Sequence, residues 1–105
     1  MGERTENVVD GDLGCTLAQL AETIKCRRDA SPEHSYTARL LTAPMDMLLK
    51  KIGEESTELV LAVKDQDHDH IRYEAADLFY HLLVLFERTG ISSAELAGEL
   101  NARMR

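Results

Sequence analysis

The chain has 105 residues, of which 44% are hydrophobic and 30% are charged, as expected for one globular domain with a modest core. Its formal charge of −7, from 12 basic and 19 acidic residues, argues against a nucleic-acid partner, because such proteins need arrays of Lys and Arg. No apolar run approaches the roughly 18 residues of a membrane span, and the polar opening segment lacks the features of a secretory signal, so we expect a cytoplasmic protein without a membrane partner.

The first part of the chain predicts a tail followed by a helix. Residues 1–12 are polar and acidic, and we expect them to form a flexible tail ahead of a single domain over residues 13–105. Apolar residues then recur at helical spacing, at Leu17, Leu20, Ala21 and Ile24. If one helix carries both Cys15 and Cys26, roughly 16 Å separates them, which is too far for a disulfide and fits a reducing cytoplasm.

Two long helices follow, joined by a short polar connector. The first extends over residues 44–64, with proline where a first helical turn accepts it, and the second over about residues 70–89, where Gly90 ends it. Ser92 and Glu95 then have the spacing of a capping box, which opens a last helix. Because no alternating strand pattern competes, the predicted fold is all-α: an antiparallel helical hairpin plus shorter helices.

Each long helix carries a group of carboxylates. The acidic residues of the first helix are Glu54, Glu55 and Glu58. Like charges three or four residues apart share one helix face and cost about 0.2–0.5 kcal/mol per pair. The second helix is apolar on nearly every side, which indicates burial, except for one polar line formed by Glu74, Asp77 and His81. Taken singly, either group also fits a simpler interpretation, a solvated acidic face for the first and a structural ion pair for the second.

A predicted antiparallel hairpin makes the two groups face each other, and together they indicate a metal site. Buried carboxylates are costly unless they are neutralised, paired or bound to a metal. Oxygen ligands of this kind suit Mg²⁺, with Mn²⁺ as a possible substitute, and such a cation would relieve the repulsion among the glutamates. His81 fits either a core residue hydrogen-bonded to Asp77 or a residue that lines the site.

Two segments of these helices, "GEESTE" and "EAADLFYHLLVLF", resemble the phosphoribosyl-ATP pyrophosphohydrolases of histidine biosynthesis, within the all-α MazG-like nucleotide pyrophosphohydrolases. "SYTARL" and "YHLLVL" favour the histidine-pathway family over a general MazG-like enzyme. The resemblance covers residues 16–104. It implies Mg²⁺-dependent hydrolysis of phosphoribosyl-ATP to phosphoribosyl-AMP and pyrophosphate. The EExxE and ExxD pattern of the superfamily falls on Glu54, Glu55, Glu58, Glu74 and Asp77, which implies catalytic and metal-binding roles for these five residues.

Further residues are candidates for contacts with the substrate. Cations for the phosphate charge are available at Lys50, Lys51 and Arg39. Lys51 is favoured because it lies three and four residues before Glu54 and Glu55, on their side of the helix. A polar loop predicted ahead of the first long helix offers ribose or phosphate contacts from Ser35, Tyr36 and Thr37, largely by resemblance, and His81 is a further candidate.

Three interpretations of function fit these residues. Besides phosphoribosyl-ATP hydrolysis, the acidic motif fits a MazG-like housecleaning pyrophosphatase that acts on free nucleoside triphosphates. It also fits a non-enzymatic helical module that binds a basic partner. The apolar excess of the second long helix also predicts that the active species is a homodimer or an assembly of dimers, with a four-helix-bundle core formed from two hairpins.

Overall fold

The computed structural model describes residues 5–104, and every regular element in that range is helical. The helices are α1 (Leu13–Cys26), α2 (Tyr36–Thr42), α3 (Met45–Lys64), α4 (His68–Thr89) and α5 (Ser93–Arg103), with a 3₁₀ turn over Arg27–Asp29. The all-α prediction is therefore confirmed. Within the described range no helix is long and apolar enough to cross a membrane. Of the predicted tail, residues 5–12 form no helix, and residues 1–4 lie outside the described residues.

The helices divide into two compact units. One unit contains Met1–Gly11 and Ala43–Leu82, and therefore α3 with most of α4. The other contains Asp12–Thr42 and Leu83–Arg105, and therefore α1, α2, the end of α4 and α5.

The first unit is built on the hairpin of α3 and α4. Pro44 is the N-cap residue of α3, one residue before the first helical residue, whereas the sequence placed it in the first turn; a residue at this position needs no intrahelical N–H bond. The return between the helices is tight: Gln66 adopts a left-handed backbone, with φ of 56°. This conformation lets the backbone N–H of Asp67 reach the Ala62 carbonyl at 3.4 Å, which caps the end of α3. Leu48 and Ala62 are fully buried.

The second unit is held by helix caps and by arginine contacts. The Asp12 carboxylate caps α1 by accepting a hydrogen bond from the backbone N–H of Cys15, at 2.8 Å. The guanidinium of Arg28 pairs with the Glu87 carboxylate, and that of Arg88 donates to the Leu40 carbonyl at 3.0 Å. The buried apolar residues of this unit are Ile24, Ala38, Leu40, Leu41 and Val84.

The structure confirms one sequence-based prediction about local structure and corrects another. The capping box predicted for Ser92 and Glu95 is present at the start of α5 and is confirmed. The polar loop predicted to hold Ser35, Tyr36 and Thr37 is wrong in part, because Tyr36 and Thr37 belong to the first turn of α2. Ser35 caps this turn, since its Oγ accepts a hydrogen bond from the Ala38 N–H at 3.1 Å.

Candidate metal centre

The hairpin brings acidic residues of α3 and α4 into two neighbouring groups. Among residues 5–104, one group of potential metal ligands consists of Glu55, Asp77 and His81, and another of Glu58, His70 and Glu74. In each group the ligand atoms lie within 4.8 Å of one another. Residue numbers rise along α3 while those of the partners on α4 fall, so the two helices run antiparallel, as predicted.

The predicted carboxylates share one cavity. A cavity of about 400 Å³ is lined by Lys51, Glu54, Glu55, Glu58, Tyr73, Glu74 and Asp77. All five acidic residues of the EExxE and ExxD pattern therefore border the same space, although they come from two helices. Glu54 is exposed and Glu55 is buried, although the two residues are adjacent in α3. The proximity is geometric, and the metal-binding roles of these residues stay a prediction.

Glu55 has the most perturbed ionisation in the cavity. A side-chain hydrogen bond with Asp77, burial and the negative charge of Asp77 together raise its pKa from 4.5 to about 7. Glu74 acts in the same direction, whereas the ammonium group of Lys51, 3.8 Å from Oε1 of Glu55, opposes the rise. Glu55 is therefore a buried carboxylate close to two others, Asp77 and Glu74, and their negative charges disfavour its ionised form.

His81 is held in one orientation by the backbone of its own helix. Its Nδ1 lies 2.8 Å from the carbonyl oxygen of Asp77. Because a carbonyl oxygen only accepts hydrogen bonds, Nδ1 must carry the proton and donate it. The ring is only 2% exposed and stands edge-on to Tyr80. This arrangement matches the core role considered for His81 in the sequence, while its membership of the Glu55–Asp77 group also places it beside the cavity carboxylates.

Two residues close to the cavity carboxylates, His70 and Tyr73, were not predicted from the sequence. His70 lies one helical turn before Glu74, and its Nε2 is 3.3 Å from Glu74 Oε2. The i, i+4 spacing of these residues is a signal that sequence reasoning could have used. Tyr73 lines the cavity, but a tyrosine next to an ExxD motif carries no distinguishing pattern.

Of the three basic residues predicted to bind the substrate, only Lys51 lines the cavity. Lys51 lines the cavity, whereas Lys50 is exposed and is not among the lining residues. Arg39 belongs to the other unit, where its guanidinium lies 5.4 Å from the centre of the Tyr36 ring in a cation–π contact. Ser35, Tyr36 and Thr37 are also in that unit, and their substrate contacts stay a prediction.

The donor set fits a divalent cation that prefers oxygen. Four of the carboxylates that border the cavity, Glu55, Glu58, Glu74 and Asp77, are also members of the two ligand groups. Mg²⁺ is bound by carboxylate oxygens together with waters, and the cavity is large enough for both. A raised pKa such as that of Glu55 is expected for these ligands when no metal is bound. A proton then supplies the positive charge that offsets the neighbouring carboxylates.

Known proteins resemble this chain over most of its length. Residues 17–104 match the sequence model of the family described as phosphoribosyl-ATP pyrophosphohydrolase. The phosphoribosyl-ATP pyrophosphatase of Nitrosomonas eutropha is 45% identical over 87 residues, which cover 83% of this chain and 74% of the relative. The phosphoribosyl-ATP pyrophosphatase of Methylibium petroleiphilum is 48% identical over 88 residues, with 84% and 73% covered.

A longer relative shows the same similarity in part of its sequence. The histidine biosynthesis bifunctional protein HisIE of Thermus thermophilus is 44% identical, and the alignment covers 99% of this chain and 51% of the relative. All five carboxylates of the cavity fall within the residues that match the family model. By this match and by relatives at this level of identity, the chain belongs to the phosphoribosyl-ATP pyrophosphohydrolase family.

Proposed function

We propose that this chain hydrolyses phosphoribosyl-ATP to phosphoribosyl-AMP and pyrophosphate, an early step of histidine biosynthesis. The observation that carries the proposal is the cavity between α3 and α4, where five carboxylates and Lys51 meet in a chain of this family. The names of the relatives from Nitrosomonas eutropha and Methylibium petroleiphilum support the choice of substrate. The substrate is a charged nucleotide that does not cross membranes unaided, so we also propose a cytoplasmic location.

We further propose that the reaction depends on Mg²⁺. Glu55, Glu58, Glu74 and Asp77 would hold the ion, since their oxygens are the ligands that it prefers. When bound, Mg²⁺ supplies neutralisation of the phosphate oxygens and of the charge that develops on the leaving pyrophosphate.

The remaining chemistry belongs to the side chains of the cavity. Lys51 offers a second positive charge at the edge of the carboxylate cluster, where a phosphate oxygen can accept a hydrogen bond from its ammonium group. Glu54 is exposed at the cavity and can accept a hydrogen bond from a water molecule, which orients that water for attack on phosphorus. Under this proposal Glu55, Glu58, Glu74 and Asp77 neutralise charge through the ion that they hold, and the more exposed Glu54 orients the water.

We also propose that the active species is a homodimer. In the unit that contains the cavity, large apolar side chains of the two long helices are about half exposed, namely Met47, Leu49, Val60, Leu61, Val63 and Phe79. Monomers in aqueous solution rarely leave so many apolar groups uncovered. Two copies of the hairpin related by a two-fold axis would bury them in a four-helix core.

An assay of pyrophosphate release across several nucleotides tests the proposed reaction. With Mg²⁺ present, we expect release from phosphoribosyl-ATP that greatly exceeds release from ATP or from non-standard nucleoside triphosphates. Removal of divalent cations by EDTA should stop the reaction. Preferred hydrolysis of free triphosphates would instead indicate a housecleaning pyrophosphatase, and no hydrolysis of any nucleotide would indicate a binding module.

A further inference from the structure

We propose that a cavity between the N-terminal segment, residues 5–8, and α4 binds the purine base of the nucleotide substrate, with Tyr73 and Tyr80 as its aromatic walls. This inference rests on the proposed function, because it requires that the phosphates of the same nucleotide bind at the metal centre. It deepens that function by giving a base-binding role to a segment outside residues 17–104, the part of the chain that matches the family model.

The first observation is another cavity in the unit that contains the metal centre. Its volume is about 400 Å³, within the roughly 300–1,000 Å³ of small-molecule sites. Tyr73 and Asp77 border both this cavity and the carboxylate cavity, so the two spaces are neighbours. In a nucleotide only the ribose separates the base from the first phosphate. A base-binding site must therefore lie close to the site that holds the phosphates, as this cavity does.

The second observation is the chemistry of the walls on α4. Tyr73 and Tyr80 are two helical turns apart on one face of the helix, and the small side chain of Ala76 lies between them. Aromatic rings of this kind stack on nucleobases. Two further lining residues, Asp69 and Arg72, pair with each other at 3.3 Å, so their charges cancel. These walls suit an uncharged planar base better than a phosphate, which needs a cation.

The third observation is the segment that covers the cavity. It turns at Asn7, whose backbone is left-handed with φ of 60°, a conformation in which asparagine is enriched. Thr5 and Val8, on either side of this turn, both line the cavity. Val8 is 48% exposed, whereas the adjacent Val9 is 87% exposed and is not among the described lining residues. Val8 therefore offers an apolar contact to a bound base, and Val9 provides a matched control.

Nuclear magnetic resonance of the full chain with methyl-labelled valine tests the position of the base. With Mg²⁺ present, AMP should shift the Val8 methyl signals and give nuclear Overhauser effects between these methyl groups and the base protons. Ribose 5-phosphate, which has the sugar and a phosphate but no base, should give neither. The Val9 methyl signals should change clearly less. Tyr73→Ala should weaken AMP binding by about fivefold or more, whereas Tyr73→Phe, which keeps the ring, should not.

Steady-state kinetics with phosphoribosyl-ATP distinguish a base contact from a general structural effect. Val8→Asp should raise KM by about fivefold or more with kcat changed less, because a contact with the base is made equally in the ground state and the transition state. Val9→Asp should change neither constant. Both residues lie outside the helices, so circular dichroism should show intact helices in both variants.

The outcomes separate this inference from the proposed function. Absence of AMP binding, or AMP binding without base contacts to Val8, would overturn the base-binding cavity even in a chain that hydrolyses phosphoribosyl-ATP. Equal KM values for the Val8 and Val9 variants would overturn it as well. Base contacts to Val8 in a chain that hydrolyses no nucleotide would support the cavity and reject the proposed reaction.

Discussion

Glu55 is the cavity residue whose ionisation is affected most by burial and by neighbouring carboxylates. It is 7% exposed and shares a hydrogen bond with Asp77, and these two facts with the charge of Asp77 raise its pKa to about 7. Near neutral pH the metal-free protein therefore holds a proton that an unfolded chain would release. Any cation that enters must displace this proton, so metal affinity should rise with pH across the same range.

The raised pKa of Glu55 predicts a pH dependence of stability. Because the folded state binds the proton more tightly, the metal-free protein should lose stability as pH rises from 4.5 to about 7, in total on the order of 3 kcal/mol. Glu55→Gln removes the ionisation and should lack this decline. Urea unfolding of both proteins in EDTA, from pH 4.5 to 7.5, measures the difference. A difference between the two proteins that does not vary with pH would contradict the shared proton.

The two adjacent lysines give a second prediction at this scale. Lys51→Met should lower kcat/KM for phosphoribosyl-ATP by about tenfold or more, since a charge-assisted hydrogen bond contributes roughly 1.5–3 kcal/mol. Lys50→Met is the matched comparison, because Lys50 does not line the cavity, and it should lose clearly less. Steady-state kinetics of both variants decide the point. Equal losses would show that the cavity lining does not select the phosphate-binding lysine.

At the scale of elements, the hairpin depends on how α3 ends. Gln66 adopts a left-handed backbone with φ of 56°, a conformation that costs a residue with a side chain roughly 1–2 kcal/mol relative to glycine. The connector contains neither glycine nor proline, and the cap bond from Asp67 to Ala62 stabilises it instead.

Gln66→Gly should therefore stabilise the protein. We expect a gain of about 0.5–1 kcal/mol, because relief of the left-handed strain exceeds the extra chain entropy that glycine loses on folding. Gln66→Ala serves as the control and should give no gain, since alanine retains the Cβ atom. Denaturation midpoints of the three proteins provide the measurement. A glycine variant no more stable than the alanine variant would rule out the left-handed turn.

The helices themselves were largely readable from the sequence, and the exceptions have physical causes. The long helices and the capping box at Ser92 show strong periodicity and side-chain caps, which are local signals. Helix α2 has only seven residues, too few for a stable pattern of its own, and it forms with three of them buried. For the site, spacing alone places the carboxylates on two facing helices. Burial of the Nε2 atom of His70, by contrast, depends on tertiary packing, which no local pattern reveals.

At the scale of the whole molecule, the uncovered apolar side chains of α3 and α4 are the main unexplained feature of a single chain. Phe79 is 45% exposed and Val60 is 60% exposed. Val60 lies on α3 and Phe79 on α4, so apolar side chains of both long helices remain uncovered within one copy.

Substitution of Phe79 tests the proposed dimer. Phe79→Glu should convert the dimer to a monomer and lower activity with it, because a charge in an apolar interface is costly. Leu100→Glu changes an apolar residue on α5 that is somewhat more exposed than Phe79, and it should leave the oligomeric state unchanged. Light scattering at the assay concentration gives the mass of each species. A fully active wild-type monomer would end the dimer proposal.

The proposed reaction, metal-dependent hydrolysis of phosphoribosyl-ATP, depends on carboxylates that face each other across the hairpin. Its most direct test is pyrophosphate release from phosphoribosyl-ATP, with Mg²⁺, by the wild-type chain, Asp77→Asn and the exposed control Glu99→Gln, with circular dichroism of each. We predict an activity loss of at least about a hundredfold in Asp77→Asn with its helices intact, and no loss in Glu99→Gln. A folded Asp77→Asn variant with wild-type activity would contradict a role of the facing carboxylates in catalysis.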